Sequence, residues 1–285
     1  FKANQPMQNW ISPHDMENIL DLAGFEVVRR FKKILTPIWI PIVSRLANRV
    51  LGNLFPFSNL GLIQCAVARL QPGTKQNYSV SIIIPARNER GNIESTISRI
   101  PDFGTRQEII FIEGHSTDGT LEEIKRVSEK YKASLKIRYA VQRGRGKGDA
   151  VRLGFSLAQE DILMILDADL SVSPEDLPKF YNTLASGKGD FINGSRLIYR
   201  PADNSMRFLN AMGNRFFSVT LGWLLGQRLK DTLCGTKVLF KKDYDKIAMG
   251  REYFGDFDPF GDFDLLFGAA KLGLKILAGI KRIKL

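Results

Sequence analysis

One short apolar run constrains this chain more than any other: Ile162-Leu-Met-Ile-Leu-Asp167-Ala168-Asp169, which ends abruptly in two carboxylates separated by one small residue. Five large apolar residues between Asp161 and Asp167 read as a strand buried on both faces. In open α/β sheets, ligands bind at the end of such a strand. If extended backbone continues through Asp169, side chains alternate, so Asp167 and Asp169 point the same way and can share one divalent cation. The competing reading is that the pair simply opens the polar loop Ser171-Val-Ser-Pro174.

The neighbouring sequence supplies the rest of an α/β pattern. Val80-Ser-Ile-Ile-Ile84 is a strand closed by Pro85-Ala86-Arg87-Asn88-Glu89, and Ile93, Ile97 and Ile100 follow at helical spacing. Glu108–Ile112 is the next strand, and Thr120 with Glu123 reads as a capping box for the helix after it. Leu135–Val141 gives a third strand, Ala150–Leu157 a helix, Ile162–Leu166 the fourth strand, and Ser173-Pro174 starts a helix through Leu184. Alternating elements of these lengths predict a mostly parallel sheet.

Between the third strand and its helix lies Gln142-Arg-Gly-Arg-Gly-Lys147-Gly148-Asp149. Its glycines permit close backbone approach, and Arg143, Arg145 and Lys147 put charge beside a helix N-terminus, a combination suited to phosphate. It is not a Walker A loop, because Gly148 stands where Ser or Thr is needed. A basic surface loop is the alternative.

Composition narrows the chemistry. The 285 residues are 44% apolar, enough for one large or two ordinary domains, and the formal charge of +11 favours phosphate-bearing partners. Two isolated cysteines, Cys65 and Cys234, exclude a disulfide framework and a zinc knuckle and suit a reducing, cytoplasmic setting. With only His14 and His115, any metal must be held mainly by carboxylates. The chain opens on Phe1 without a signal-peptide succession and reads as a piece of something longer. No run of 18 apolar residues occurs, so no membrane span is expected, although Phe31–Phe57 mixes Trp39 and phenylalanines with basic residues as a surface-lying segment would.

Residues 1–72 form a first unit. Ser12-Pro13-His-Asp15 starts a helix that Gly24 stops, Phe25–Arg30 and Leu62–Ala68 read as strands, and 71–77 is a polar linker. The order of helix, Ala-Gly-Phe, strand, proline-rich crossover and strand resembles the trailing third of a class I S-adenosylmethionine-dependent methyltransferase. Because the family's glycine-rich cofactor loop is missing, the resemblance implies a remnant without methyl-transfer activity of its own.

From residue 79 to about 280 a second resemblance takes over, carried by Pro-Ala-Arg-Asn-Glu, Ile-Glu-Gly-His-Ser-Thr-Asp-Gly-Thr, Gly-Lys-Gly-Asp-Ala and Asp-Ala-Asp in that order. Gly194-Ser195-Arg196 and Asp231-Thr-Leu-Cys-Gly235-Thr-Lys237 agree with it. The stretch 79–285 resembles the family 2 inverting glycosyltransferases, and most of all the branch of dolichol-phosphate mannosyltransferases and polyprenyl-phosphate glycosyltransferases. The resemblance implies the α/β GT-A fold, a Rossmann-like, mostly parallel sheet flanked by helices, here preceded by a small N-terminal α/β segment. It places Pro85, Ala86, Asn88, Glu89, Glu113, Lys147, Asp167 and Ala168 along a UDP- or GDP-linked sugar donor. Asp167 and Asp169 would ligate Mg²⁺ or Mn²⁺, Arg196 would contact phosphate, and no nucleic acid is expected. Two departures stand out: Glu113-Gly-His-Ser replaces the usual Asp-Asp-Gly-Ser, and Arg87 replaces an aromatic residue.

For the acceptor, the branch implies a lipid phosphate at the inner face of the cytoplasmic membrane, with the aromatic-rich 208–224 segment near acceptor or membrane. A hydroxyl acceptor would need a general base, whereas a phosphate is already anionic. Phe263-Asp264 looks like the family's aromatic-acid pair, which makes Asp264 the leading base if one is used. The acids of 256–264 do not form a calcium loop, since Phe260 and Phe267 fall where oxygen ligands belong. The alternatives kept open are transfer to a sugar hydroxyl, a non-catalytic sugar-nucleotide-binding protein and a nucleotidyltransferase. The last usually carries its basic glycine loop directly after the first strand.

Overall fold

Strands as apolar as Val80–Ile84 and Ile109–Ile112 require cover on both sides, and the fold provides it. The computed structural model describes residues 11–54, 56–73, 76–194, 218–223, 225–227, 234–251 and 262–278. The chain divides into two units, Phe1–Gln71 and Pro72–Leu285.

In the first unit, α1 (Pro13–Leu22) begins with a capping box in which Asp15 N donates to Ser12 Oγ and Ser12 N donates to Asp15 Oδ2, both at 3.1 Å. Gly24, at φ 78, turns the chain into β1 (Phe25–Lys33). β1 pairs antiparallel with β2 (Ile63–Leu70) from Phe25↔Leu70 to Lys33↔Ile63. The connection carries α2 (Val43–Arg49), and its proline-broken start is gathered by Asn48, whose Oδ1 accepts from Leu35 N at 2.8 Å and Thr36 N at 3.1 Å.

The second unit is built on a seven-stranded sheet. In chain order its elements are β3 (Val80–Ala86), α3 (Ile93–Arg99), β4 (Gln107–Glu113), α4 (Thr120–Lys130), β5 (Lys136–Val141), α5 (Lys147–Leu157) and β6 (Ile162–Ile165), followed by α6 (Leu177–Ala185), β7 (Phe191–Asn193), β8 (Lys237–Phe240), α7 (Lys241–Met249), α8 (Asp262–Lys271) and β9 (Ile276–Ala278). The strand order is β5-β4-β3-β6-β8-β7-β9. β5, β4, β3 and β6 run parallel, β8 runs against both its neighbours, and β7 is parallel to β9. The sheet is therefore mostly parallel and flanked by helices, as expected.

Alternation divides the core between the two faces. Ile82, Ile84, Phe111 and Met164 pack with Ile97 of α3, Ile124 of α4 and Leu184 of α6 on one side. Ile83, Ile110, Ile112, Leu163 and Ile165 pack with Phe155 of α5, Ile247 of α7 and Leu266 of α8 on the other. Gly154 of α5 lies so close to Ile83 that a Cβ there would overlap the isoleucine, which sets the helix hard against β3. Among the described residues, no helix is long and apolar enough to cross a membrane.

Three local expectations are corrected. The Thr120–Glu123 capping box does not form: Gly119 is the cap at φ 86, and the Thr120 hydroxyl and N–H both donate to Asp118 Oδ1, at 2.5 and 3.0 Å. Helix α5 starts at Lys147 rather than Ala150, because Gly146, at φ 86, makes the reversal that admits the first turn. Strand β6 stops at Ile165, and the backbone turns at Asp167–Leu170, where Leu170 N donates to Asp167 O at 3.2 Å and Leu170 adopts φ 55. Extended geometry through Asp169 is therefore not what brings the carboxylates together.

Candidate functional site

The carboxyl ends of parallel strands gather the site. A cavity of about 410 Å³ opens at the ends of β3, β4 and β6, lined by Pro85 and Ala86 at the end of β3 with Arg87 and Glu89 just after it, by Lys147 and Ala150 of α5, and by Asp167, Ala168 and Asp169 after β6. That volume suits a small-molecule ligand. Seven of the eleven residues singled out in the sequence thus line this cavity: Pro85, Ala86, Glu89, Lys147, Asp167, Ala168 and Asp169.

Electrostatics are concentrated on one contact. Lys147 Nζ lies 2.5 Å from Asp167 Oδ1, with both groups partly exposed to the cavity. Asp169 is exposed, and its Oδ1 accepts from Ser171 N at 2.9 Å, which orients the carboxylate at the turn. Opposite, Gly144 N donates to Asp149 Oδ2 at 3.0 Å, folding the glycine loop back onto the first turn of α5. The cavity therefore brings a cation, a helix N-terminus and two carboxylates together, a set of groups suited chemically to a diphosphate with a divalent ion.

The remaining sequence candidates take other places. Asn88, at φ 56, braces the rim: its N–H donates to Ser116 Oγ at 2.9 Å and its Oδ1 accepts from Thr117 N at 3.0 Å. Glu89 N donates to Thr120 Oγ1 at 2.9 Å, which is where the threonine hydroxyl is used. Glu113 is buried, and its carboxylate accepts the Ser116 N–H at 2.5 Å rather than lining the cavity. Asp264 is buried on α8, where its Oδ2 accepts from Arg251 Nε at 2.8 Å. Arg196, the 208–217 part of the aromatic segment, Asp231 and 255–261 lie outside the described residues.

Two further residues belong to the site. Gly235 abuts the Lys147–Asp167 pair, and a Cβ on it would overlap Asp167 Oδ2 and Lys147 Nζ. The Asp231-to-Lys237 motif holds this glycine, but only the antiparallel placement of β8 beside β6 shows what it touches. Gln142, at the end of β5, also lines the cavity. Nothing in the sequence marks it beyond its place at a strand end.

The family model described as Glycosyl transferase family 2 matches residues 81–247. Among curated proteins, a dolichol-phosphate mannosyltransferase of Pyrococcus furiosus is 37% identical over 123 residues, covering 42% of this chain and 33% of that protein. Glycosyltransferase AglJ of Haloferax volcanii is 29% identical over 198 residues, covering 69% and 60%. The chain thus spans between a third and three fifths of the length of these relatives. Among solved structures, the mannosyltransferase PcManGT from Pyrobaculum calidifontis in complex with GDP-Man and Mn²⁺ aligns with a TM-score of 0.51 at 18% identity, over 74% of this chain and 57% of that one. Glucosyl-3-phosphoglycerate synthase from Mycobacterium tuberculosis in complex with UDP aligns at 0.52 and 19% identity, over 73% of each. Together the matched motifs, the sheet order and these alignments give one conclusion: the chain belongs to glycosyl transferase family 2 and has the GT-A fold.

Proposed function

We propose that this chain transfers a sugar, with inversion, from a UDP- or GDP-linked donor to the phosphate of a polyprenyl-type lipid. The observation that carries the reading is the convergence of Lys147, Asp167 and Asp169 on one cavity with Pro85, Ala86 and Glu89. Nucleoside diphosphate departure builds negative charge on the leaving oxygen, so cationic groups there favour the transition state over the ground state. Lys147 and the N-terminus of α5 are this chain's own contribution to that charge.

The donor set suits Mg²⁺ or Mn²⁺. Among the described residues, no three His, Cys, Asp or Glu side chains stand together as a metal cage. Asp167 and Asp169 would hold the ion and leave its other positions to diphosphate oxygens and water, as hard cations at phosphate sites prefer. When bound, the ion supplies charge stabilisation at the leaving diphosphate. Arg196 is assigned to phosphate on its motif alone.

A phosphate acceptor needs no proton removed, and the ion pair of Asp264 with Arg251 suits a carboxylate that is not serving as a free base. In the first unit, Ile38, Trp39 and Ile42 are all more than two-thirds exposed and lie close in sequence to Arg45 and Arg49, a composition suited to peripheral contact with anionic lipid at the cytoplasmic face. That unit's order of helix, glycine, strand, crossover and strand supports its reading as a methyltransferase remnant.

The test is calorimetric titration with UDP and GDP, with and without Mn²⁺, followed by radiolabelled sugar transfer to a short-chain prenyl phosphate or to a sugar acceptor. Tight binding only with metal, lost in Asp169→Ala, and transfer to the prenyl phosphate are expected. Metal-independent binding overturns the donor assignment, and transfer only to the sugar overturns the acceptor.

A further inference from the structure

The connection between β1 and β2 leaves an apolar face uncovered. Trp39 and Ile42 are 80% and 82% exposed, and Ile38, Leu60 and Leu62 are each at least 60% exposed. On α2, Ser44 and Ala47 are buried, whereas Val43 and Leu46, with Val50 at the helix end, form an exposed apolar stripe at helical spacing. Arg45 and Arg49, one turn apart and both exposed, form a second stripe beside it. An exposed apolar patch of this extent marks a surface that something covers.

Charge decides what covers it. No Asp or Glu occurs from Val27 to Asn88. Among the described residues, Arg45 and Arg49 meet no carboxylate, and Lys32 and Lys33 donate to neutral oxygens of the connection, Asn59 O at 2.9 Å and Asn53 Oδ1 at 2.8 Å. The positive charge around the apolar face is therefore uncompensated. A second copy of the chain would set like charge against like, whereas an anionic bilayer accepts the charge and the apolar stripe together.

We infer that the β1–β2 connection is a docking element for acidic phospholipid, with α2 lying in the plane of the interface. Trp39, Ile42, Val43, Leu46 and Val50 enter the acyl boundary, and Arg45 and Arg49 take lipid phosphate at the level of the headgroups. A hollow of about 310 Å³ beside α2 takes the end of an acyl chain. Its polar members are already bonded: Ser44 Oγ donates to Ile38 O at 2.8 Å and accepts from Ile40 N at 2.7 Å, and Asn48 Nδ2 donates to Thr36 O at 3.1 Å. Pro37, Ile38, Trp39 and Leu62 are left to line it. This element lies outside the residues matched to the glycosyl transferase family, so it belongs to the first unit and not to the machinery of sugar transfer.

Docking extends the lipid-phosphate reading above, yet it is measured without nucleotide, sugar or acceptor, so either can fail alone. Flotation of the full chain is compared on vesicles of phosphatidylcholine alone and with about a third phosphatidylglycerol, for the wild type, Trp39→Ser/Ile42→Ser and Arg45→Gln/Arg49→Gln. The wild type should partition onto acidic vesicles at least about tenfold more strongly than onto neutral ones, and less so as salt rises. Arg45→Gln/Arg49→Gln should cut acidic-vesicle partition by about 30-fold and leave neutral-vesicle partition within about twofold. Trp39→Ser/Ile42→Ser should cut both by about tenfold or more, because burial of apolar surface does not depend on headgroup charge. All four side chains are exposed, so thermal melts should match the wild type. In Trp10→Phe/Trp223→Phe, Trp39 is the sole tryptophan, and brominated lipid should quench it on binding.

Equal partition onto the two vesicle types, or an unquenched Trp39 in bound protein, overturns the inference. Absence of vesicle binding overturns it as well, and a concentration-dependent dimer abolished by Trp39→Ser/Ile42→Ser would then assign the face to a contact between copies. Docking that persists without nucleotide binding or sugar transfer supports the inference and removes only the donor and acceptor reading.

Discussion

Lys147 Nζ and Asp167 Oδ1 stand 2.5 Å apart in the lining of the cavity, one from the first turn of α5 and the other from the turn after β6. Without ligand, the lysine neutralises the carboxylate that a divalent ion would otherwise claim. Lys147→Met should therefore strengthen Mn²⁺ binding to the nucleotide-free protein and weaken UDP or GDP binding in saturating Mn²⁺ by about tenfold, the loss of one charge-assisted hydrogen bond to phosphate. Paired titrations of metal alone and of nucleotide with metal check both directions. Equal losses in the two would mean that Lys147 only supports the fold.

Gly235 gives a sharper test of the same geometry. An alanine there would overlap both members of the pair, and β8, buried between β6 and β7, gives the backbone little room to retreat. Gly235→Ala is expected to cut sugar transfer by about 100-fold, in line with displacing catalytic groups by an ångström, while the melting temperature moves only a few degrees. Transfer rates with a thermal melt distinguish a displaced pair from an unfolded sheet.

For Asp264, the ion pair predicts a structural cost. Its side chain and that of Arg251 are 7% and 19% exposed, so truncating one leaves the other charge poorly solvated. Asp264→Ala should destabilise by about 3 kcal/mol, and Asp264→Asn by less because it keeps an acceptor for Arg251. If the acceptor is a phosphate, the folded Asn variant should retain transfer within about tenfold, whereas removing a general base costs at least 100-fold. Denaturant melts and rates on prenyl phosphate read the two effects separately.

Acid stability turns on Glu108. Burial alone would raise its carboxyl, but the Ser81 hydroxyl at 2.6 Å, the Gln159 N–H at 2.8 Å and Lys136 at 3.1 Å together hold it below the ordinary glutamate value. A depressed carboxylate stabilises the fold fully above its unfolded value near ~4.3 and loses that contribution as pH falls through the folded one. Glu108→Gln should lower the melting temperature at pH 7, by the equivalent of about 1–3 kcal/mol. The gap from wild type should shrink steadily below about pH 4. A gap independent of pH would assign the effect to packing alone.

Much of this was legible in the sequence wherever burial on both faces writes an uninterrupted apolar run, as in β3 and β4, whose ends fell within one or two residues of the expected positions. Asp167 and Asp169 could be placed at a strand end for the same reason. The turn that orients them could not, because it depends on Leu170 adopting φ 55, which its residue type does not announce. Thr120 was misread because a hydroxyl that looks like a cap is claimed by Asp118 and by Glu89 N instead. The roles of Gly235 and Gln142 required knowing which strands lie side by side, information held in the order β5-β4-β3-β6-β8 and in no local pattern.

The reversed direction of β8 has an evolutionary consequence. β7 ends and β8 begins at the same edge of the sheet, where Gly194 N donates to Thr236 O at 2.8 Å and Gly194 packs against Cys234. The stretch from 195 to 233 therefore leaves and re-enters the sheet through one doorway, beside Asp167. Within it, Leu225 packs in the core, and Gln227 Nε2 donates to Leu274 O while its Oε1 accepts from Ile276 N, both at 2.8 Å, which ties this connection to β9. Insertions or substitutions that spare Leu225 and Gln227 therefore leave both framing strands closed on each other, so this connection can diverge while the sheet beside Asp167 is kept.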